Sequence, residues 1–251
     1  MNKIIIGVLA CDKYKIMKKL PPPTGLVKVE EDYTELVKAC RETCYSETVE
    51  GVEVYYIYGH RKGVYIPKNS YKLEGDCFYN DSPEGRENCL AKTLGFFEYC
   101  LKNKEFDYIF RANCGSYIDQ KILKEFSEKL PKEKLYCGRW GEEKGIPYCS
   151  GTGYFLSRDL VEMIVGIKKI YDKKEISPFY IMGVDDLSIG SIMYENGIDR
   201  TGGAYREDVV LDEIVRDDFF INENCYHYYF KHTIEPKCFY ELHKKINSKG
   251  L

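Results

Sequence analysis

The chain has no excess of basic charge: 37 Lys and Arg stand against 40 Asp and Glu, for a formal net charge of -3. A protein that held DNA or RNA by phosphate neutralisation would need a positive field, so nucleic acid is excluded as an expected partner. Long hydrophobic runs are also missing. The early apolar run Ile4-Ile5-Ile6-Gly7-Val8-Leu9-Ala10-Cys11 is too short to span a membrane and leads into a lysine-rich segment, not a small-residue cleavage site. No membrane span is expected, and the run reads as a first buried strand. Cys-x-x-Cys never occurs among the 11 cysteines, and no set of four ligands has zinc spacing. With no secretion signal, reduced and mostly buried thiols in the cytoplasm are the simpler account. The chain lacks Gly-x-Gly-x-x-Gly, so the stretch Ser150-Gly151-Thr152-Gly153 is not a phosphate loop between strand and helix.

What is present is a core-forming composition, 44% hydrophobic over 251 residues, enough for one compact domain spanning residues 1–251. Short buried strands alternate with amphipathic helices, the pattern of a mixed or parallel α/β sheet with helices on both faces. Strands are expected at Lys3 to Cys11, Val52 to Tyr58, Asp107 to Arg111, Leu135 to Gly138 and Tyr226 to His232. Helices are expected at Asp32 to Cys44, Glu87 to Leu101, Lys121 to Leu130, Arg158 to Ile170, Asp185 to Asn196 and Cys238 to Ile246. In the second of these, Leu90, Leu94, Phe97 and Leu101 form one stripe. Pro21 to Gly25 reads as a turn, and a polar loop is expected to run to about Asn80.

Four segments, in order, carry a resemblance. Glu84-Gly85-Arg86-Glu87-Asn88-Cys89-Leu90-Ala91-Lys92-Thr93 and the strand Asp107-Tyr108-Ile109-Phe110-Arg111 are the first two. Pro147-Tyr148-Cys149-Ser150-Gly151-Thr152-Gly153-Tyr154-Phe155-Leu156-Ser157 and Gly183-Val184-Asp185-Asp186-Leu187-Ser188-Ile189-Gly190 complete the set. Together they resemble the β-1,3-galactosyltransferase and Fringe group of GT-A glycosyltransferases over about residues 3 to 200. The resemblance implies a GT-A, Rossmann-like, mostly parallel sheet in a single domain. It further implies a nucleotide-sugar donor, with UDP the first choice, and a saccharide or glycoconjugate acceptor. The donor-binding part would cover about residues 1–119 and the acceptor-binding part about 120–251. Where the family carries Asp-x-Asp, this chain reads Asn113-Cys114-Gly115, so the usual Mn²⁺ ligands are missing and no metal cofactor is expected to be required.

Sugar transfer needs a carboxylate to take the acceptor proton, donors or cations for the departing diphosphate, and a walled sugar pocket. Asp185 and Asp186 stand at an expected helix start, where the dipole favours carboxylates. The resemblance selects Asp186 as base and gives Asp185 a capping or acceptor-binding role; alternatively both simply cap the helix. Diphosphate candidates are Lys92, Arg111, His227 and Lys231, with Asn113 able to offer only a neutral amide oxygen. Lys92 can equally solvate a helix face, and His227, among aromatics, can equally be structural. Ser150, Gly151, Thr152, Gly153 and Tyr154 read as a tight turn lining a sugar pocket or as an ordinary turn. Trp140, the only tryptophan, is a sugar platform or a core anchor. Ala10 and Cys11, at the end of the first strand, fall where an open α/β sheet forms its ligand crevice, as does the stretch from Tyr56 to His60. Two other classes stay open: a catalytically silent module binding glycans or nucleotide sugars, and a sugar nucleotidyltransferase.

Overall fold

The computed structural model describes residues 1–19, 26–60, 63–85, 88–174, 184–201, 205–230 and 235–248. A seven-stranded sheet runs through it in the order β5-β6-β4-β1-β7-β10-β9. Its centre is parallel: β1 (Ile4–Leu9) lies between β4 (Val52–His60) and β7 (Tyr108–Asn113), and β4 pairs in parallel with β6 (Cys77–Pro83). Counting only these four in chain order, the arrangement is 3-2-1-4, that of a Rossmann-type half-sheet. The edges are antiparallel, with β5 (Tyr71–Glu74) on one side and β10 (Ile146–Ser157) and β9 (Tyr136–Glu143) on the other. The α/β reading of the sequence, a mostly parallel sheet with helices on both faces, is the observed architecture.

Alternation along β1 explains how both faces are covered. Ile4, Ile6 and Val8 enter a core shared with α1 (Thr34–Glu42), α3 (Gln120–Ser127) and α7 (Lys237–Ser248). Ile5 and Leu9 point the other way, into a core shared with α2 (Cys89–Asn103), α4 (Arg158–Lys174) and α5 (Asp185–Glu195). Gly7 makes room in that second core. A Cβ there would stand 2.6 Å from a ring carbon of Phe96, so the missing side chain lets α2 sit down on the sheet. Leu90, Leu94 and Phe97 are buried as their stripe requires, and Leu101 packs at its margin.

Several expectations need correction. The stretch read as a polar loop to Asn80 contains β5 and the first half of β6; β5 alternates Tyr71-Lys72-Leu73-Glu74 over four residues only and is exposed at each of them, too short a pattern to stand out from a loop. An antiparallel pair, β2 (Lys13–Lys19) and β3 (Leu26–Asp32), flanks the expected Pro21 to Gly25 turn, which itself lies outside the described residues. The short strand expected at Leu135 to Gly138 is the start of the long β9-β10 hairpin. Ser150 to Gly153 is not a tight turn: it belongs to β10, where the pairing with β9 slips between Cys149 and Tyr154 and the strand bulges. The strand expected from Tyr226 is β12 (His227–Phe230), which joins β11 (Arg206–Val209) and β8 (Ser116–Ile118) in a small second sheet.

Candidate active site

The 3-2-1-4 order creates a crevice beyond the carboxyl ends of β1 and β7, because the chain leaves β1 towards β4 on one side and returns at β7 on the other. The strand ends are tied by Cys114 N–H, which donates to Leu9 O at 3.2 Å. Lys92 reaches this rim from α2. Its buried ammonium donates to Ala10 O at 3.1 Å and pairs with Glu84 Oε2 at 2.8 Å, while Glu84 Oε1 accepts from Gly59 N–H at 2.6 Å. Lys92 is therefore not a solvated surface lysine. Cys11 borders the same rim, and burial pushes its thiol far above the ordinary range.

Arg111 comes from β7 and is buried with Asp185, the first residue of α5. Arg111 Nη2 donates to Asp185 Oδ1 at 2.8 Å, and Nε lies 2.7 Å from Oδ2 in an ion contact whose N–H is not aligned for a hydrogen bond. Arg111 Nη1 also meets Gly151 O, and the guanidinium carbon stands 5.8 Å from the centre of the Tyr154 ring. Asp185 accepts further bonds from Thr93 Oγ1 at 3.0 Å and the Tyr154 hydroxyl at 3.4 Å. Burial holds the Asp185 carboxyl above the ordinary carboxylate range against the pull of the Arg111 charge. At 2% exposure, Asp185 is closed off from any acceptor.

Asp186, one residue along, diverges and is half-buried. Its Oδ2 accepts from Gly151 N–H at 2.8 Å and its Oδ1 from Leu187 N–H at 2.9 Å. Each oxygen keeps one lone pair beyond these bonds. Gly151 is needed for this approach: a Cβ there would stand 3.0 Å from Asp186 Oδ2 and 3.1 Å from Arg111 Nη1.

The bulge is fixed from the second sheet. Arg206 Nη1 donates to Thr152 Oγ1 at 2.6 Å and to Ser150 Oγ at 3.3 Å, and its guanidinium lies 4.7 Å from the Tyr229 ring centre. Ser116 Oγ donates to Thr152 O at 2.9 Å and bonds His227 Nε2 at 3.0 Å. His227 is buried behind Gly153, and burial, then the nearby Arg206 charge, holds it well below the ordinary imidazole range. It is neutral and brings no charge to the crevice.

The Asn113-Cys114-Gly115 turn does not suit a hard divalent cation. Asn113 Oδ1 already accepts from Gly115 N–H at 3.0 Å and lies 3.0 Å from Ser116 Oγ, whose one proton Thr152 O also claims at 2.9 Å. Burial pushes the Cys114 thiol up to about 12, so it is protonated, and Gly115 has no side chain. Among the described residues no three His, Cys, Asp or Glu side chains cluster at metal-binding range.

Trp140 is not a core anchor. It is 51% exposed on β9, with the Arg200 guanidinium 4.2 Å from its ring centre. Lys231 lies outside the described residues. The site residues thus fall into three bonded groups: Ala10 with Lys92, Arg111 and Gly151 with Tyr154, Asp185 and Asp186, and Asn113 and His227 with Ser150 and Thr152 through Ser116 and Arg206. A second concavity, lined by Thr43, Tyr117, Gln120 and His243, contains none of them. Two members escaped the sequence reading. Glu84 was visible only as part of the first motif, and Arg206 had no local signal at all. All 11 cysteines are free thiols, and no helix of the described residues is long and apolar enough to cross a membrane.

No protein-family model matches this sequence, and no curated protein does so. Two solved structures align along nearly its whole length. One is a glycosyltransferase involved in the glycosylation of the major capsid of PBCV-1, at 13% identity and a TM-score of 0.49, covering 97% of this chain and 99% of that one. The other is an active-site mutant of LgtC, at 7% identity and a TM-score of 0.45, covering 97% of this chain and 95% of that one.

Proposed function

We propose that this protein is a GT-A-type glycosyltransferase that moves a sugar from a nucleotide donor to a hydroxyl of a saccharide or glycoconjugate, with inversion. The motif resemblance favours a UDP-sugar. The observation that carries the reading is the division of labour between two adjacent carboxylates at the crevice: Asp185 is consumed by buried Arg111, while Asp186 is pinned by two backbone N–H groups with lone pairs to spare. Neighbouring carboxyl groups in such different surroundings suit different tasks.

In this reading Asp186 takes the acceptor hydroxyl proton as its oxygen bonds to the anomeric carbon. The carbon's bond to the diphosphate oxygen breaks, and the electron pair leaves with the nucleoside diphosphate. Ala10, Cys11 and the Tyr56 to His60 strand end would hold the nucleoside. Lys92 would border the diphosphate, and Ser150 to Gly153 with Tyr154 would wall the sugar. The donor would thus occupy the part formed by residues 1–119 and the acceptor the part formed by 120–251, with Trp140 as an outlying platform. Eleven free thiols suit a reducing compartment such as the cytoplasm.

The test is release of nucleoside diphosphate from a panel of nucleotide sugars, with and without an array of saccharide acceptors. Release that depends on acceptor and falls in Asp186→Asn supports transfer. Pyrophosphate release would instead identify a nucleotidyltransferase. Binding without any turnover would identify a silent module, the reading favoured by the occupied Asn113 carbonyl oxygen.

A further inference from the structure

Among the described residues three buried or partly buried cations stand around the crevice, and each is matched by a carboxylate: Lys92 by Glu84, Arg111 by Asp185, and Arg206 by Asp208. With Asp186 added, three positive groups face four negative ones, a formal charge of -1. That is a poor reception for a diphosphate, which carries at least two negative charges of its own. Uncovering one of these cations would improve that reception.

The three pairs differ in how easily they can do so. Asp185 is buried and holds Arg111 together with Thr93 and Tyr154, so parting that pair would strand a charge in the core. Glu84, with its side chain 20% exposed, also secures Gly59 N–H at the end of β4. Asp208 has a side chain 35% exposed, and among the described residues its carboxylate is held by Arg206 alone, with Nε donating to Oδ1 at 2.8 Å. Water can cover Asp208 once the contact opens. Arg206 is different: its side chain is 8% exposed, and Thr152, Ser150 and the face of Tyr229 hold the guanidinium in place without Asp208.

Arg206 also borders the turn that replaces the family's acidic motif. Tyr229, on which it lies, comes within 3.8 Å of a Cβ built on Gly115, and Thr152, which it binds, is tied through Ser116 to Asn113.

We propose that Arg206 is a diphosphate-binding residue for which Asp208 stands in while the site is empty: the distal phosphate of a nucleoside diphosphate displaces the Asp208 carboxylate from the guanidinium fork. Nε and Nη2 both donate to the single oxygen Asp208 Oδ1, and a phosphate oxygen can take that place, so the exchange needs no movement of the arginine. The inference rests on the glycosyl-transfer reading above and adds to it a residue and a gate of charge.

The experiment is calorimetric titration of the full chain with UDP and with UMP, which lacks the distal phosphate. Arg206→Gln is expected to weaken UDP binding about tenfold or more, the loss of a charge-assisted fork, with UMP changed less than about twofold. Asp208→Asn removes the competitor and keeps the shape, so UDP should bind about two- to fivefold tighter, the strength of a partly exposed ion pair. Opposite signs at the two partners are the signature, because a purely structural ion pair would weaken binding from either side. If Arg206→Gln does not fold, the Asp208→Asn titration decides alone. UDP binding unchanged or weakened in Asp208→Asn overturns the exchange while leaving sugar transfer standing. Failure of the wild-type chain to bind UDP, GDP, ADP or CDP overturns both.

Discussion

Arg111 and Asp185 face each other across the join of β7 and α5, with Nε 2.7 Å from Oδ2 and both side chains almost wholly out of water. The pair locks the start of α5 to the sheet and thereby sets where the next residue, Asp186, can stand. Removing one partner of such a pair leaves an uncompensated buried charge. Asp185→Asn should therefore cost about 3–5 kcal/mol of stability. Asp186→Asn should cost no more than the fraction of a kcal/mol to about 1 kcal/mol that a carboxylate contributes at a helix start, while lowering turnover roughly 10²-fold. Thermal melts beside initial rates separate the two. A melting loss in Asp186→Asn as large as that in Asp185→Asn would make Asp186 a structural cap.

Gly153 lies under two buried rings. A Cβ there would stand 2.6 Å from His227 Cε1 and 2.7 Å from Phe110 Cζ, distances that require the rings to shift. Gly153→Ala should destabilise the fold by about 1–3 kcal/mol through overpacking. Gly166, inside α4 with nothing within 4 Å of its added Cβ, provides the contrast: Gly166→Ala should stabilise by about 0.5–1 kcal/mol. Denaturant midpoints at equal slope measure both, and a neutral Gly153→Ala would mean that the bulge is looser than its contacts indicate.

His227 makes stability depend on pH in a definite direction. Its folded-state value is depressed by burial and by Arg206, whereas the unfolded imidazole titrates near its ordinary value of about 6.5. As pH falls, the unfolded chain takes up the proton first. The contribution is complete above about 6.5 and is lost progressively below it, at up to about 1.4 kcal/mol per pH unit. His243, also depressed by burial, adds in the same direction. Melting temperature followed from pH 7.5 to 5 should fall less steeply in His227→Gln than in the wild-type chain. Equal slopes would show that His227 accepts a proton while folded.

The elements legible in the sequence are those whose burial is periodic. β1, α2, β7, α4 and α5 each carry a hydrophobic run or stripe, because each packs one or both faces against a core. β5 is four residues long and exposed at every position, so its Tyr71 and Leu73 alternation is too short to mark a strand. The hairpin of β9 and β10 outruns the strand legible in the sequence because its far half is rich in Gly, Pro and polar residues, and its bulge sets Gly151 and Gly153 in the pattern of a turn. At the site, local spacing could show that Asp185 and Asp186 diverge at a helix start, but not that buried Arg111 would claim Asp185. Arg206 was invisible for a related reason. Arg206-Glu207-Asp208 reads as an ordinary charged strand, and its contacts to Ser150 and Thr152 lie more than fifty residues away in the chain.

The last prediction concerns metal. In many sugar-nucleotide reactions a divalent cation neutralises the diphosphate as negative charge develops on it. The Asn113-Cys114-Gly115 turn presents an amide oxygen already accepting from Gly115 N–H and a protonated, buried thiol, neither of which competes for a hard cation. Leaving-group charge would then be met by fixed donors, and among the described residues those proposed for it are Lys92 and Arg206. Transfer is expected to persist in excess EDTA. Lys92→Ala should cost more rate than the chelator does, since it removes the rim cation and leaves Glu84 as an unopposed negative charge beside Ala10. Rates measured with EDTA, with added Mn²⁺, and in the Lys92→Ala protein decide the matter. Transfer abolished by EDTA and restored by Mn²⁺ would mean that the nucleotide's own oxygens complete a cation site that this turn does not build alone.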